Sequence, residues 1–430
     1  MKVFFDVVGC RLNQSEVEAL GNQFRSFGHE IIADPTTADL AIINTCAVTI
    51  QAASDSRKKL RRAARKGAKR VVATGCWASL YPDMAQKIAG VSDVFDNDSK
   101  FNIVPEVLGF SIQELSQQKF IRKPLPGDRA RTRAFIRIQT GCNQHCSYCL
   151  TRIARGSSRS RTVPEVLQDI EAAIEGGAKE IVLTGVQLGS WGFDFPTRKK
   201  LSDLMKRILA MNGLGRLRLS SIEPWDIDQE LLTLWEDDRL CRHLHIPLQS
   251  GENKILRMMR RPISTERYSH LICQIRRQVV DMAITTDIIV GFPGETEVAF
   301  NATKTYIEEI GFAGGHVFTF SPRPGTEAFV FPDRISREIA KDRNAQLRDI
   351  FKKSGASYRE KQIGIERYVL WESSELLTDG SWRVNGLTDN YIRVSSKADW
   401  DSWNEISLVK LISHQPGKKG LQGEIVKTIQ

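Results

Sequence analysis

Three cysteines fall within eight residues of the run GCNQHCSYCL, so that Cys142, Cys146 and Cys149 stand in a C-x3-C-x2-C spacing. Three thiolates this close in sequence can ligate three corners of a cubic 4Fe–4S cluster. The fourth iron is then left without a protein ligand, and an open coordination position is what a reactive metal centre needs. A structural zinc site is the competing reading. It wants a fourth Cys or His at suitable spacing, and His145 inside the loop is the nearby candidate, crowded by its neighbours.

Three further cysteines are far apart in sequence but share a context. Cys10, Cys46 and Cys76 end the runs FFDVVGC, AIINTC and VVATGC, each immediately after a predicted strand. Strands of one parallel sheet end on one edge, and ligands bind in the crevice outside their carboxyl ends. Three convergent thiolates imply a second cluster, again with one free iron. The alternative is three buried core cysteines. Cys241 and Cys273 are expected in the core, Cys273 on the apolar face of a helical segment. His243, His245 and His316 lie on predicted strands and could face the site, with structural roles the leading expectation.

The elements that must position these residues divide the 430-residue chain. Residues 1–115 alternate short apolar runs with amphipathic stretches such as NQSEVEALGNQFRSFG, which predicts a small doubly wound α/β domain. Residues 116–129, rich in Gln, Lys and Pro, read as a linker. Residues 130–355 repeat strand and helix six times (AFIRIQ, EIVLTG, RLRLSS, HLHIPL, ITTDIIVG, GHVFTF), which predicts an open, partial (β/α)6 barrel. Residues 358–430 hold short β-rich runs separated by Gly, Asn, Asp and Pro, which predicts a small β-barrel. The predicted fold class is therefore α/β with a terminal β-barrel. Polar groups and glycines at later barrel strand ends, Gly185, Ser221, Glu223, Gln249, Asp287 and Gly291, fit a cofactor on the top face.

Charge narrows the substrate. The net charge is +10, with nine basic and no acidic residues from Arg57 to Arg70, and ten basic residues against Asp128 from Ile121 to Arg161. Basic charge around a reactive centre points to a polyanion, and RNA is the obvious one. Arg129, Arg131 and Arg133 are the expected phosphate contacts. The terminal segment is balanced, ten basic against ten acidic residues from Arg359 onward. There is no apolar run of about 20 residues and no leader-like start, so a cytoplasmic location is expected. In that compartment eight cysteines point to metal or catalysis rather than disulfides.

With Tyr148 before its last cysteine, the triplet resembles the signature of the radical S-adenosylmethionine class. Beyond it, GCRLNQSE, INTCAVTIQAASDSR, ATGC, LTGVQLGSWG, RLSSIEP, HIPLQSGENKILRMMRR, DIIVGFPGET and SPRPGTEA run in an order similar to the methylthiotransferases, over nearly the whole chain. The resemblance implies an auxiliary 4Fe–4S cluster on Cys10, Cys46 and Cys76, a radical 4Fe–4S cluster on Cys142, Cys146 and Cys149, and a C-terminal TRAM barrel that binds RNA. It implies S-adenosylmethionine beside Tyr148, Gly185, Ser221, Glu223, Gln249 and Asp287. One S-adenosylmethionine would methylate a sulfur on the auxiliary cluster, and a second would yield the radical that enables C–S bond formation. No side chain stands out as a general acid or base.

GCRLNQ and NTCAVT, followed by Ser56-Arg57, look most like the branch that methylthiolates C2 of threonylcarbamoyladenosine beside the tRNA anticodon. The implied partners are the tRNA anticodon region, an external electron donor such as flavodoxin, and a sulfur donor. Sister branches act on isopentenyladenosine tRNA or on a ribosomal protein. A zinc-containing, non-catalytic RNA-binding protein is the alternative of another class, and iron and sulfide analysis separates it. Where the family usually has a proline and an aromatic before Ala-Arg-Gly, this chain has Arg152 and Ile153.

Overall fold

Apolar runs alternate with amphipathic helices along the first hundred residues, and parallel pairing is the arrangement that buries both faces of such strands. The computed structural model describes residues 1–111, 122, 132–415, 417 and 419–429. Strands β1 (Lys2–Val7), β2 (Glu30–Ile32), β3 (Leu40–Thr45), β4 (Arg70–Gly75) and β5 (Val91–Val94) pair in the order β2-β1-β3-β4-β5, all parallel. Side chains alternate between faces along each strand. Ala41, Ile43, Val71 and Ala73 pack with Leu60 and Ala63 of helix α2 (Ile50–Arg65). Leu40, Ile42 and Val72 pack on the other face with Leu20 and Phe24 of helix α1 (Arg11–Ser26). This is the expected doubly wound sheet, with β2 and β5 added. Those two strands escaped the sequence reading because EII and VSDV are too short to stand out as apolar runs.

Chain contacts define two compact units: Met1–Gln144 with Cys149–Gln187 and Trp191–Lys199, and His145–Tyr148 with Leu188–Ser190 and Lys200–Gln430. The first also holds β6 (Arg133–Arg137), which pairs in parallel with β9 (Glu180–Thr184), and the antiparallel clip of β7 (Gln139–Thr140) and β8 (Arg159–Ser160). The linker expected at 116–129 lies outside the described residues except for Arg122, whose guanidinium donates to Glu18 at 2.9 Å.

The second unit holds β10 (Arg216–Leu219), β11 (His243–His245), β12 (Ala283–Val290) and β13 (Gly314–Thr319), the last three paired in parallel. Six parallel-sheet strands, β6 and β9 to β13, thus fall where the six repeats predicted them. Helix Thr265–Gln278 buries Tyr268, Leu271, Ile272 and Ile275, which leaves Cys273 on its exposed side. Cys273 is therefore not a core residue; it sits one step of about 100° beyond the apolar stripe. Cys241 is buried as expected.

The terminal barrel is closed, in the order β14 (Glu366–Leu376), β15 (Trp382–Thr388), β16 (Arg393–Ala398), β18 (Leu421–Ile429), β17 (Ile406–His414). Closure removes exposed sheet edges, and Val369, Trp371, Val384, Val394, Val409 and Leu411 fill the interior. A 24-residue helix, Arg337–Glu360, leads into it across the expected 355–358 boundary. The barrel is fastened to its own unit by buried arginines. Arg218 donates to the carbonyls of Thr388 (3.0 Å) and Asp389 (2.8 Å), Arg216 donates to Leu387 (2.9 Å), and Arg367 pairs with Asp281 (2.6 Å). His243 stacks on Tyr391 at 4.2 Å. None of the described helices is long and apolar enough to cross a membrane.

Candidate functional site

The strand order decides where the first cysteines meet. β1, β3 and β4 are adjacent, so the residues following them share one stretch of the carboxyl edge. Cys46 and Cys76 follow β3 and β4 directly, and Cys10 follows β1 after Val8 and Gly9. Gly9 lies so close to Cys46 that a Cβ there would fall 2.7 Å from its Sγ. Cys10 Sγ is 3.9 Å from Asn13 Oδ1, Arg155 donates to that same oxygen at 2.6 Å, and Arg155 Nε donates to Cys76 Sγ at 3.2 Å. Ser56 Oγ accepts from the Cys46 amide at 3.0 Å and fixes the turn after β3.

Three sulfurs with no carboxylate or imidazole among them are a soft donor set, suited to iron–sulfur or zinc. Burial pushes the Cys46 thiol up to about 12. A bound metal deprotonates such a thiol outright, so the group fits a metal-bound role better than a free nucleophile.

Gly75 holds β4 against β3 at a positive φ of 92°, where a Cβ would meet Thr45 O at 2.4 Å and Thr45 N at 2.6 Å. Gly75→Ala is expected to cost roughly 1–3 kcal/mol in backbone strain alone and to displace Cys76. Iron in anaerobically reconstituted protein should fall from about eight towards about four per chain. Retention of the full complement would show that Cys76 is not a ligand.

The second triplet sits in a loop whose residues divide between the two units. In the first unit, buried Gln139 donates to Gly141 O (2.8 Å) and Ser158 Oγ (2.9 Å), and accepts from the amides of Val186 and Gln187 at 3.0 Å. The Gln144 amide donates to Cys142 Sγ at 3.3 Å, and the Thr151 amide to Cys149 Sγ at 3.4 Å. In the second unit, Ser147 donates through its amide to Met259 O (3.2 Å) and through its hydroxyl to Met258 O (2.8 Å), which pins the chain beside Cys146. Tyr148 packs on Phe292 and its neighbours.

Comparison with known proteins gives this geometry its family. The model of an uncharacterized protein family, UPF0004, matches residues 2–96, and that of the radical SAM superfamily matches residues 136–307. The chain is 33% identical to the threonylcarbamoyladenosine tRNA methylthiotransferase MtaB of Bacillus subtilis, covering 100% of this chain and 97% of that one. The chain belongs to the radical S-adenosylmethionine methylthiotransferases. The corresponding Thermotoga maritima protein is 35% identical over 86% of each chain, and a tRNA-2-methylthio-N(6)-dimethylallyladenosine synthase of Clostridium tetani is 32% identical over 95% and 93%. Among solved structures, the radical S-adenosylmethionine methyltransferase TsrM of Kitasatospora setae shares the fold, with a TM-score of 0.57, 15% identity, and 76% and 75% of the two chains covered.

In this methylthiotransferase the strand-end residues have distinct settings. Gly185 abuts Gln139, whose Oε1 a Cβ would approach to 2.9 Å, so its small size serves the triplet loop. Ser221 is exposed and bridges to His245. Glu223 is held by Arg261 through both oxygens, at 3.0 and 2.7 Å. Gln249 has a φ of 77°, a strained conformation for a side-chain residue. Asp287 lies 3.2 Å from His245 Nε2 and 3.2 Å from His316 Nδ1. Burial raises its carboxyl, but the hydrogen bonds from the two histidines outweigh that and hold it well below the usual range. His245 and His316 are thus both joined to Asp287. His316 on β13 stands opposite Asp287, and His245 on β11 stands opposite Thr285, two residues before it, pairings that become visible only with the register.

The basic stretch around the triplet is corrected. Arg129 and Arg131 lie outside the described residues. Arg133 turns inward to buried Glu180 (3.9 Å), Arg137 stacks on Phe101 at 4.1 Å, Arg161 pairs with Asp169 at 2.6 Å, and Arg159 pairs with Asp98. Among the described residues of this stretch, Arg122, Arg133, Arg137 and Arg155 are turned inward, whereas Arg152 and Arg159 are exposed. Lys58, Arg61, Arg62 and Arg65 of α2 are instead exposed, and Lys58, Lys59 and Arg62 line a cavity of about 430 Å³ with Val7, Val8, Gly9, Gln14 and Asp55, where Lys58 pairs with Asp55 at 3.7 Å and Lys59 with Asp6 at 2.5 Å. Arg152 and Ile153 are exposed and carry no cysteine.

The residues that the sequence reading missed are Asn13, Glu16, Lys100 and Arg155, all buried. One was detectable: Glu16 interrupts the i, i+4 stripe of Leu12, Leu20 and Phe24 on α1, where a charge has no reason to be unless paired.

Proposed function

We propose that this methylthiotransferase converts threonylcarbamoyladenosine beside the tRNA anticodon to its 2-methylthio derivative. The pair of three-cysteine sets, one on a single loop and one assembled from three adjacent strands, supports the chemistry, and the 33% identity over the whole chain to a threonylcarbamoyladenosine tRNA methylthiotransferase supports the substrate. Cys142, Cys146 and Cys149 would hold the radical 4Fe–4S cluster, and Cys10, Cys46 and Cys76 the auxiliary one. When bound, these clusters supply the electron that cleaves S-adenosylmethionine and the seat for the transferred sulfur.

The chain's own residues bind and orient. Tyr148, Gly185, Ser221, Glu223, Gln249 and Asp287 would line S-adenosylmethionine. The exposed cations of α2, with the cavity next to Gly9, favour an anionic substrate on the side of Cys10. Residues 1–115, 130–355 and 358–430 would act as auxiliary-cluster, radical and RNA-binding TRAM domains. An external electron donor such as flavodoxin and a sulfur donor complete the reaction, in the cytoplasm.

The test offers reconstituted protein tRNA with and without the threonylcarbamoyl group and reads the nucleosides by mass. A methylthio product is expected only on the modified tRNA. Product solely on isopentenyladenosine tRNA, or solely on a ribosomal protein, would overturn the substrate assignment.

A further inference from the structure

Arg155 ends the short helix Thr151–Arg155, six residues beyond Cys149, and is 3% exposed. Every arm of its guanidinium is engaged within the first unit. Nη1 donates to Glu16 Oε1 at 2.7 Å and to Thr140 Oγ1 at 3.2 Å. Nη2 donates to Asn13 Oδ1 at 2.6 Å and to Glu16 Oε2 at 3.1 Å, and Nε donates to Cys76 Sγ at 3.2 Å. Glu16 also accepts from Lys100 Nζ at 2.5 Å, and Lys100 is wholly buried. Two buried cations therefore face one buried carboxylate. A surplus buried charge is costly unless an anion meets it. The surplus points at Cys76, where a thiolate-bound cluster would supply that anion.

We propose that Arg155 sets the reduction potential of the auxiliary centre, and that through it the helix following the radical triplet is bonded to that centre. Adding an electron to a cluster adds negative charge beside this cation, so Arg155 favours the reduced form. Net charge and hydrogen bonds to the sulfurs are established determinants of such potentials. The inference rests on the assignment of Cys10, Cys46 and Cys76 as cluster ligands.

The experiment uses the full chain with Cys142, Cys146 and Cys149 changed to Ala, so that one centre alone titrates. Arg155→Gln is expected to shift the auxiliary equilibrium at least tenfold against reduction, about 59 mV more negative for a one-electron couple. Arg155→Lys keeps the charge but not the planar fork, and should shift it less. A second measurement in this background needs no substitution at Arg155: exchange of the guanidinium protons for deuterium should move the cluster's Fe–S stretching bands. Unchanged potentials in iron-loaded Gln and Lys variants overturn the proposal, as does the absence of a deuterium effect. If the chain with Arg155 intact binds no iron in this background, the ligand assignment itself has failed and takes the proposal with it, an outcome distinct from a loaded centre indifferent to Arg155.

Discussion

Alanine at Cys10, Cys46 and Cys76 together is expected to abolish the methylthio product while leaving the cleavage of S-adenosylmethionine intact. The triplet loop has its own supports: Gln139 beneath it, amide hydrogen bonds onto Cys142 and Cys149, and the Ser147 anchor beside Cys146. None of these involves the three strand-end cysteines. On the proposed assignment, product formation would need both sets, one for the radical cluster and the other for the cluster that holds the sulfur. The variant should retain about half of the roughly eight irons of two cubic clusters, and should still release 5′-deoxyadenosine on reduction, measured by chromatography and mass. A folded variant that no longer cleaves S-adenosylmethionine would mean that the first domain is not an independent cluster site.

The second large effect is on stability. Glu16→Leu should destabilise the first unit by about 3–5 kcal/mol, the cost of leaving buried charge without its partner. Glu16 is 2% exposed, with Lys100 and Arg155 at 0% and 3%. Leucine matches the neighbouring stripe of α1, so the loss measures the stranded cations rather than a cavity. Burial raises the Glu16 carboxyl, but Arg155 and Lys100 outweigh that and hold it well below the usual range. Its contribution is therefore whole at neutral pH and is lost only as the pH falls below the ordinary glutamate value of about 4.3. Denaturant unfolding of metal-free protein at pH 7 and at acid pH checks both statements. A variant as stable as the parent at pH 7 would refute the pairing.

Where the sequence was legible, local patterns sufficed. Apolar runs with parallel-strand character gave β1, β3 and β4, and a cysteine after each of them located one edge of a sheet before any sheet was seen. The six barrel repeats and the five strands of the terminal barrel were readable for the same reason. What stayed hidden depends on pairing across distance. EII and VSDV become strands only because β1 and β4 offer them an edge. Arg133 looks like a phosphate ligand in a charge count, and only tertiary contacts turn it onto Glu180, as they turn its neighbour in the basic stretch, Arg137, onto Phe101. Cys273 was misplaced by a single step around a helix. The Asp287 cluster with His245 and His316 needs the register of three strands, which no single-strand pattern encodes.

On the proposed cysteine assignment, the strand order also dictates when each centre can be filled. Cys142 to Cys149 close a loop of eight residues, whereas Cys10 and Cys76 are 66 positions apart (76 minus 10). Bringing together the ends of a loop some eight to nine times longer costs roughly 2 kcal/mol more in an unfolded chain, at about 0.6 kcal/mol per doubling. An emerging chain can gather iron at the short loop as soon as that loop is made. The strand-end site does not exist until β4 has docked beside β3, so its maturation waits on the sheet, and a cluster carrier serving it must recognise a folded domain rather than a peptide.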